Sequence, residues 1–354
     1  MIFATFLKSS FPRTMGRIVG GLAGLTLLLP GTVPAQSPTD SPTTVELREI
    51  VRADQAERSR TSAPTPETAE KGIAEDLRRR QRVAALLRDD KLRTGEDFAH
   101  AALVFQHGET PDDFLTAHEL AILATLNGRN TTLIVLAEDR FLRRIGRKQR
   151  FGTQFSVGAD GRMTLDPVSE GRPTDVTDAL RADMAVPTPA QWRERPNAEA
   201  YSLAMPTIEA RRKRGTDPKR IVTESRRPWA IRLRQWAMAT TAPPMALEQT
   251  LKVYEVDELA TPEDFRNAAI VLGRSSDAET LLLAHELAVV ALCRGDRAAL
   301  PVATRTLDAF LTRIGGPPRY RPRPNGVRVT NAALRDLPLA AAAVRAVFLG
   351  KATK

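Results

Sequence analysis

The residue types best suited to chemistry in this 354-residue chain lie in the polar stretch QRFGTQ, residues 149–154, and upstream of it. His107 could act as an acid or a base, and Asp139 could orient a partner group. The segment from Gly152 onward could hold an anion or a sugar through backbone N–H groups and side-chain amides. The alternative is structural, because a glycine permits a turn and polar side chains satisfy exposed backbone groups there.

Two groups of candidate residues follow from this pattern. The catalytic candidates are His107 and Asp139. The binding candidates are Gln106, His107, Arg140, Gln149, Gly152, Thr153 and Gln154. Because His107 falls at a predicted helix end, the helix dipole is expected to favour its charged form. Nearby basic residues, Arg150 among them, would supply positive charge to a ligand.

Two histidine–glutamate pairs, at His118 and His285, resemble part of a zinc-protease motif. That motif needs a second histidine four residues later, and those positions hold Ile122 and Val289. We therefore predict that both histidines pack between helices or bond to a neighbouring helix, and we predict no metal. Phosphate-binding loops, dinucleotide fingerprints, serine elbows and paired cysteines are missing from the sequence, so no cofactor is predicted.

An internal repeat organises the chain. The segment TGEDFAHAALVFQHGETPDDFLTAHELAILATLNGRN, from Thr94, aligns without gaps with TPEDFRNAAIVLGRSSDAETLLLAHELAVVALCRGDR, from Thr261, at an offset of 167 residues. The segment DRFLRRIG, from Asp139, then aligns with DAFLTRIG, from Asp308. An offset of this size indicates two similar domains produced by an internal duplication.

Each repeat predicts a small bundle of three helices. Thr94 and Thr261 begin the first helix, and Thr110 and Ser276 begin the second, as N-terminal caps. The second helix is expected to end at left-handed glycine caps, Gly128 and Gly295. The third helix is expected near residues 131–146 and 298–315. After the first bundle, strand-like flanks around residues 158–161 predict a β-hairpin.

The polar set persists in one repeat only. Gln106 and His107 are matched by Gly273 and Arg274, and Arg140 is matched by Ala309. Gly152-Thr153-Gln154 is matched by Arg321-Pro322-Arg323, whereas the apolar skeleton is common to both repeats. This asymmetry predicts that any site belongs to the first unit and that the second is a degenerate structural partner.

The first unit resembles an uncharacterised bacterial domain family. The resemblance rests on three motifs in order: Gln106-His107, Asp139-Arg140 and Gln149-Arg150-Phe151-Gly152-Thr153-Gln154. It covers about residues 74–191, with a degenerate second copy near 248–323. The resemblance implies a fold and a set of polar residues, and it implies no reaction.

The N-terminus reads as a secretory signal, because basic residues precede the apolar run IVGGLAGLTLLLPG and small residues near Ala35. The alternative is an uncleaved anchor. A periplasmic or secreted protein is expected, with no transmembrane helix after cleavage.

The single cysteine, Cys293, excludes an internal disulfide. The net charge of +10 suits an anionic partner.

The sequence thus predicts a mostly α fold of two related helical-bundle units with a small hairpin after the first. The expected segments are a signal peptide (1–35), a disordered tether (36–66), the first unit (67–195), a solvated basic linker (196–240) and the second unit (241–350). The predicted function is an exported, non-enzymatic binding or interaction module for an anionic or glycan ligand of the envelope, and nucleic acid is not the expected partner. The alternative is a hydrolase-type enzyme that uses His107 and Asp139.

Overall fold

A computed structural model describes residues 40–58, 65–157, 163–194, 198–323 and 328–350. This part of the chain is mostly α-helical, as predicted, with one small antiparallel sheet. The helices are α1 (Pro42–Arg58), α2 (Pro66–Arg88), α3 (Gly95–Gln106), α4 (Pro111–Leu126), α5 (Leu133–Arg144), α6 (Asp178–Asp183), α7 (Pro189–Glu194), α8 (Ala198–Thr216), α9 (Pro218–Glu224), α10 (Pro228–Met238), α11 (Ala246–Glu255), α12 (Pro262–Leu272), α13 (Ala278–Cys293), α14 (Leu300–Arg313) and α15 (Ala342–Phe348). The strands are β1 (Phe155–Val157) and β2 (Met163–Leu165).

The predicted signal peptide, residues 1–35, lies outside the described residues. Within the described ranges, every helix falls short of the combined length and apolar character that a membrane crossing requires.

Local sequence signals start and stop the repeated helices. Thr94, Thr110 and Thr261 each form a capping box, in which the threonine accepts from the amide three residues later and an aspartate bonds back. Gly128 and Gly295 adopt positive φ just after α4 and α13, as the glycine-cap prediction requires. One predicted cap was wrong. Asp277, rather than Ser276, caps α13, because its side chain reaches the amide of Thr280.

Helices α4 and α13 form the centre of the molecule. Nearly every residue of both is buried, including the histidine and the glutamate of each repeated HELA segment. Helices α3 and α5 pack on α4, α12 and α14 pack on α13, and the two central helices contact each other. A helix that is apolar on all sides belongs in a core, and these two meet that description.

The predicted hairpin follows α5. Strands β1 and β2 pair in antiparallel register, with Phe155 opposite Leu165, while the expected turn at 158–161 lies outside the described residues. Phe155 packs edge-on against Trp192 of α7, which packs edge-on against Tyr201 of α8. This small apolar cluster holds the hairpin against the helices that follow it.

The expectation of a disordered tether is wrong for residues 42–58, which form α1. Leu47 is fully buried, and Ile50 and Val51 pack against the same core. Arg48 donates to both carboxylate oxygens of Glu96, at 2.6 and 2.9 Å, and so ties α1 to α3. The Ser-, Thr- and Pro-rich flanks of α1 obscured this apolar spacing in the sequence.

The expectation of a solvated linker at 196–240 is also wrong for much of its length, because α8, α9 and α10 occupy it. Leu233 of α10 is buried, and α10 packs on α12. Arg211 of α8 donates to the carboxylates of Asp183 and Asp257 at 2.6–2.9 Å. Part of the basic character is therefore neutralised by ion pairs within the fold.

Candidate functional site

Asp139 of α5 anchors the stretch 149–154, which we call the GTQ loop. One carboxylate oxygen accepts from the backbone amides of Arg150 and Phe151, at 2.7 and 3.0 Å. The other accepts from the amide and the hydroxyl of Thr153, at 3.0 and 2.8 Å. Burial raises the pKa of Asp139, and these four hydrogen bonds oppose the rise. Both oxygens of Asp139 are therefore committed to the loop, whereas the sequence suggested a catalytic orienting role.

Two glutamines close the GTQ loop on itself. The Gln149 side chain accepts from the amide of Gln154 at 2.8 Å and donates to the Gln154 carbonyl at 3.0 Å. It also donates to the carbonyl of Asp166, at 2.8 Å, just after β2. Gln149 is fully buried, so this predicted binding residue joins the loop to the hairpin instead of facing a ligand.

Gly152 gives the loop a conformation that other residues resist. Its φ is +81°, and a Cβ there would meet only ordinary contacts, at 3.5 Å from Val168 and 3.6 Å from Pro189. The cost of Gly152→Ala is thus a backbone cost. We expect a loss of about 1–2 kcal/mol in the free energy of unfolding, measured by urea denaturation.

Gly128→Ala provides the matched control for that prediction. Gly128 has a φ of +82°, and a Cβ added there would meet nothing within 4 Å. A similar loss in both variants would assign the effect to backbone conformation. A much larger loss in Gly152→Ala would instead mean that packing around the loop governs this position.

Arg140 brings the three sequence motifs together. Its Nε donates to the side-chain oxygen of Gln154 at 2.9 Å, and its Nη1 donates to the backbone carbonyl of Gln106. Burial lowers the pKa of Arg140 to about 10, and the charges of Arg58 and Arg143 act in the same direction. The candidates Gln106, Arg140 and Gln154 therefore meet at one place, at the C-terminal end of α3.

His107, the C-cap of α3, pairs with a residue that sequence reasoning missed. Its Nδ1 lies 2.9 Å from a carboxylate oxygen of Asp54 in α1 and 2.9 Å from Nε of Arg58. The ring therefore donates to Asp54 in one protonation state and accepts from Arg58 in another. Burial lowers the pKa of His107 although Asp54 opposes the change, so the expected charging by the helix dipole was wrong.

Two buried arginines each form an ion pair with a glutamate of the other unit. Arg150 leaves the GTQ loop and donates to both carboxylate oxygens of Glu286 in α13, each at 2.7 Å. Arg319, which follows α14, donates to both oxygens of Glu119 in α4, at 2.7 and 3.1 Å. Both guanidinium groups are 1% exposed. The sequence suggested that Arg150 would supply charge to a ligand, but its guanidinium is buried against Glu286 instead.

The sequence contains a pattern that indicates these arginine–glutamate pairs. A charged residue in an apolar helix needs a partner, and both repeats keep a glutamate after the histidine. Both repeats also keep an arginine eleven residues after the aspartate of the third helix, and in each case its amide donates to that aspartate. The pattern identifies the charged residues that need partners. It does not show which glutamate pairs with which arginine, because these residues are far apart in sequence.

His118 and His285 meet at the contact between α4 and α13. Their Nε2 atoms lie 2.9 Å apart. Each Nδ1 lies 2.9 Å from a backbone carbonyl of a neighbouring helix, that of Ile134 in α5 or that of Ala303 in α14. The predicted hydrogen bond to a neighbouring helix is confirmed for both. Burial lowers the pKa of His118 to about 4 and that of His285 to about 3.

These low pKa values predict acid sensitivity. A histidine with a depressed pKa in the folded state contributes stability above its unfolded value, about 6.5, and loses it as the pH falls toward 4. We expect the free energy of unfolding to fall across that range, with a limiting slope of about 1.4 kcal/mol per pH unit for each proton taken up. Urea denaturation at successive pH values measures the slope.

The double variant His118→Gln/His285→Gln isolates this contribution. It should be less stable at pH 7, and its stability should depend less on pH between 6.5 and 4. Burial also lowers the pKa of His100, which lies outside the pair, so His100→Gln measures the share of the pH dependence that arises elsewhere. An unchanged slope in the double variant would show that other groups cause the acid sensitivity.

No known protein family was found to match the chain. Characterised proteins and solved structures likewise gave no match.

Proposed function

We propose that the protein is an exported helical binding module whose polar site lies on the first unit, where Gln106, His107 and Arg140 meet the GTQ loop. The observation that carries the proposal is the convergence at Arg140. This one side chain bonds to Gln106 and to Gln154, which lie 34 residues before it and 14 residues after it. Arg140 and His107 also retain partial exposure, so a ligand could reach them.

Asp139 supports binding over hydrolysis. The hydrolase alternative requires this carboxylate to orient a reacting group or His107. Its two oxygens instead accept four hydrogen bonds from the GTQ loop, and His107 contacts Asp54. We therefore assign Asp139 to holding the loop and assign the recognition role to the groups beside it.

We also propose that the two units arose by duplication, as the aligned segments suggest. Equivalent residues make equivalent contacts: His118 and His285 bond alike, and Asp139 and Asp308 each accept from amides eleven and twelve residues later. Under this proposal the second unit lost the polar set, with Ala309 in place of Arg140, and serves as a packing partner. The resemblance to the uncharacterised bacterial family belongs to the same proposal.

A ligand panel tests the binding function. Thermal unfolding of the full chain would be followed with envelope glycans, nucleotides, organic acids and divalent metals, for wild type and His107→Ala. We expect at least one compound to raise the Tm of wild type, and the shift to shrink in His107→Ala. A panel without any saturable shift would overturn the binding proposal.

Export is tested separately. The full chain would be expressed with a C-terminal tag in a Gram-negative host, followed by cell fractionation and N-terminal sequencing. We expect a periplasmic product that begins near residue 36. A cytoplasmic product with an intact N-terminus would overturn the export proposal, without bearing on the binding site.

A further inference from the structure

Among the described residues, Arg140 differs from the buried arginines because it has no carboxylate partner. Even Arg181, which donates mainly to backbone carbonyls, also donates to Asp178. Arg150, Arg211 and Arg319 each form hydrogen-bonded ion pairs with two carboxylates. The two hydrogen bonds of Arg140 go instead to neutral oxygens, one amide and one backbone carbonyl. A guanidinium has five N–H donors. In the described part of the chain, this leaves its Nη2 without an acceptor.

The neighbouring charges do not neutralise Arg140. Arg143 is paired with Asp166 at 2.8 Å, and Arg58 is paired with Asp54 and Asp76 at 3.1 and 2.8 Å. Both arginines nevertheless act on Arg140 as like charges, and they lower its pKa further than burial alone. The carboxylates of this region are thus committed to other cations, and positive charge is left at Arg140.

Gln106 supplies an independent observation. Its side chain is 2% exposed, and neither its Oε1 nor its Nε2 has a hydrogen-bond partner within the described residues. Buried amides are almost always hydrogen-bonded, because an unbonded one costs several kcal/mol of lost solvation. Gln106 also gives its backbone carbonyl to Arg140, so the unbonded amide belongs to the residue that Arg140 already contacts.

We infer that the site formed by Arg140 and Gln106, with His107 at its edge, binds an anionic oxygen group, either a carboxylate or a phosphate. The inference deepens the proposed function and rests on it. The free Nη2 of Arg140 and the amide of Gln106 donate to the anion, as guanidinium and amide groups do in known oxyanion sites. Positive charge from Arg58 and Arg143 favours the anion over a neutral ligand.

Titration of the full chain with inorganic phosphate and with succinate tests this inference. Sodium chloride at equal ionic strength controls for screening, and an uncharged disaccharide controls for charge. We expect a saturable rise in Tm with phosphate or succinate and none with sodium chloride. The relative response to the two anions distinguishes a phosphate ligand from a carboxylate ligand.

Variants identify the groups responsible. Arg140→Ala should weaken binding at least about tenfold, which corresponds to the loss of one charge-assisted hydrogen bond. The equivalent position in the second unit is alanine, so the fold has a precedent for this change. Arg143→Ala separates long-range charge from direct donation, because it removes one nearby charge while the proposed donors remain. It should weaken binding by less than about threefold.

Gln106→Leu keeps the experiment decisive if Arg140→Ala fails to fold. It removes the unbonded amide and should also weaken anion binding, while stability stays equal to or above that of wild type. Equal weakening by Arg140→Ala and Arg143→Ala, or no response to either anion beyond sodium chloride, would overturn the inference. Binding of an uncharged glycan that depends on His107, without any anion response, would overturn it while leaving the binding module intact.

Discussion

Glu286→Leu is expected to lower the free energy of unfolding by about 3–5 kcal/mol, because it leaves Arg150 charged and buried without its main partner. The effect should fall toward the lower end of that range. Asp175 lies 3.3 Å from Nη1 of Arg150 and retains part of the interaction. Burial and the neighbouring carboxylate of Glu286 raise the pKa of Glu138, so the loss of Glu286 lets Glu138 ionise more readily and offset part of the charge of Arg150. Urea denaturation measures the loss.

The double variant Arg150→Met/Glu286→Leu separates the charge effect from packing. It removes both members of the pair, so it should be more stable than Glu286→Leu alone. Glu119→Leu makes the same change in the other ion pair, that of Arg319 with Glu119. In that variant Arg319 still donates to the carboxylate of Asp112, at 2.6 Å. If the double variant were no more stable than Glu286→Leu, an uncompensated arginine would not be the cause of the loss.

Asp139→Ala is expected to cost a similar amount, about 3–5 kcal/mol, for a different reason. It removes the common acceptor of three backbone amides and one hydroxyl in a buried loop. Those donors would then lie buried without an acceptor. Amide hydrogen exchange should show faster exchange at Arg150, Phe151 and Thr153 before global unfolding, in addition to the loss seen in urea.

Asp308→Ala is the control for the anchoring role of Asp139. Asp308 accepts from the backbone amides of Arg319 and Tyr320, and it is less buried than Asp139. Its replacement should therefore cost less than that of Asp139. If Asp139→Ala left the exchange rates of the GTQ loop unchanged, Asp139 would not be the group that holds the loop.

The sequence predicted the features that depend on local patterns. Capping residues such as Thr94 and Thr110, and the glycine at 128, set helix limits through interactions within a few residues. The hairpin followed from strand-like flanks around a turn signal, and the helices of the repeats followed from hydrophobic periodicity. Gln106, Arg140 and Gln154 were chosen as candidates because the first repeat has them and the second repeat has Gly273, Ala309 and Arg323 in their places.

Features that depend on pairing between distant residues could not be predicted from the sequence. The partner of His107 is Asp54, in a segment whose composition favoured disorder. Arg150 and Glu286 are 136 residues apart, and nothing local distinguishes a buried arginine from its solvated neighbours. Helix α1 was missed because its apolar residues are few, and most of its stability comes from packing and ion pairs with α3 instead of from intrinsic helix propensity.

The two arginine–glutamate pairs between the units also affect the stability of a fragment of this chain. The exposed loop at 239–245 separates the halves, yet each half carries a guanidinium and a carboxylate whose counterparts lie in the other. A fragment that ends in that loop would leave its guanidinium and its carboxylate without their ion-pair partners. Addition of the complementary fragment would restore both ion pairs. The two cross-half ion pairs therefore make the stability of each half depend on the presence of the other.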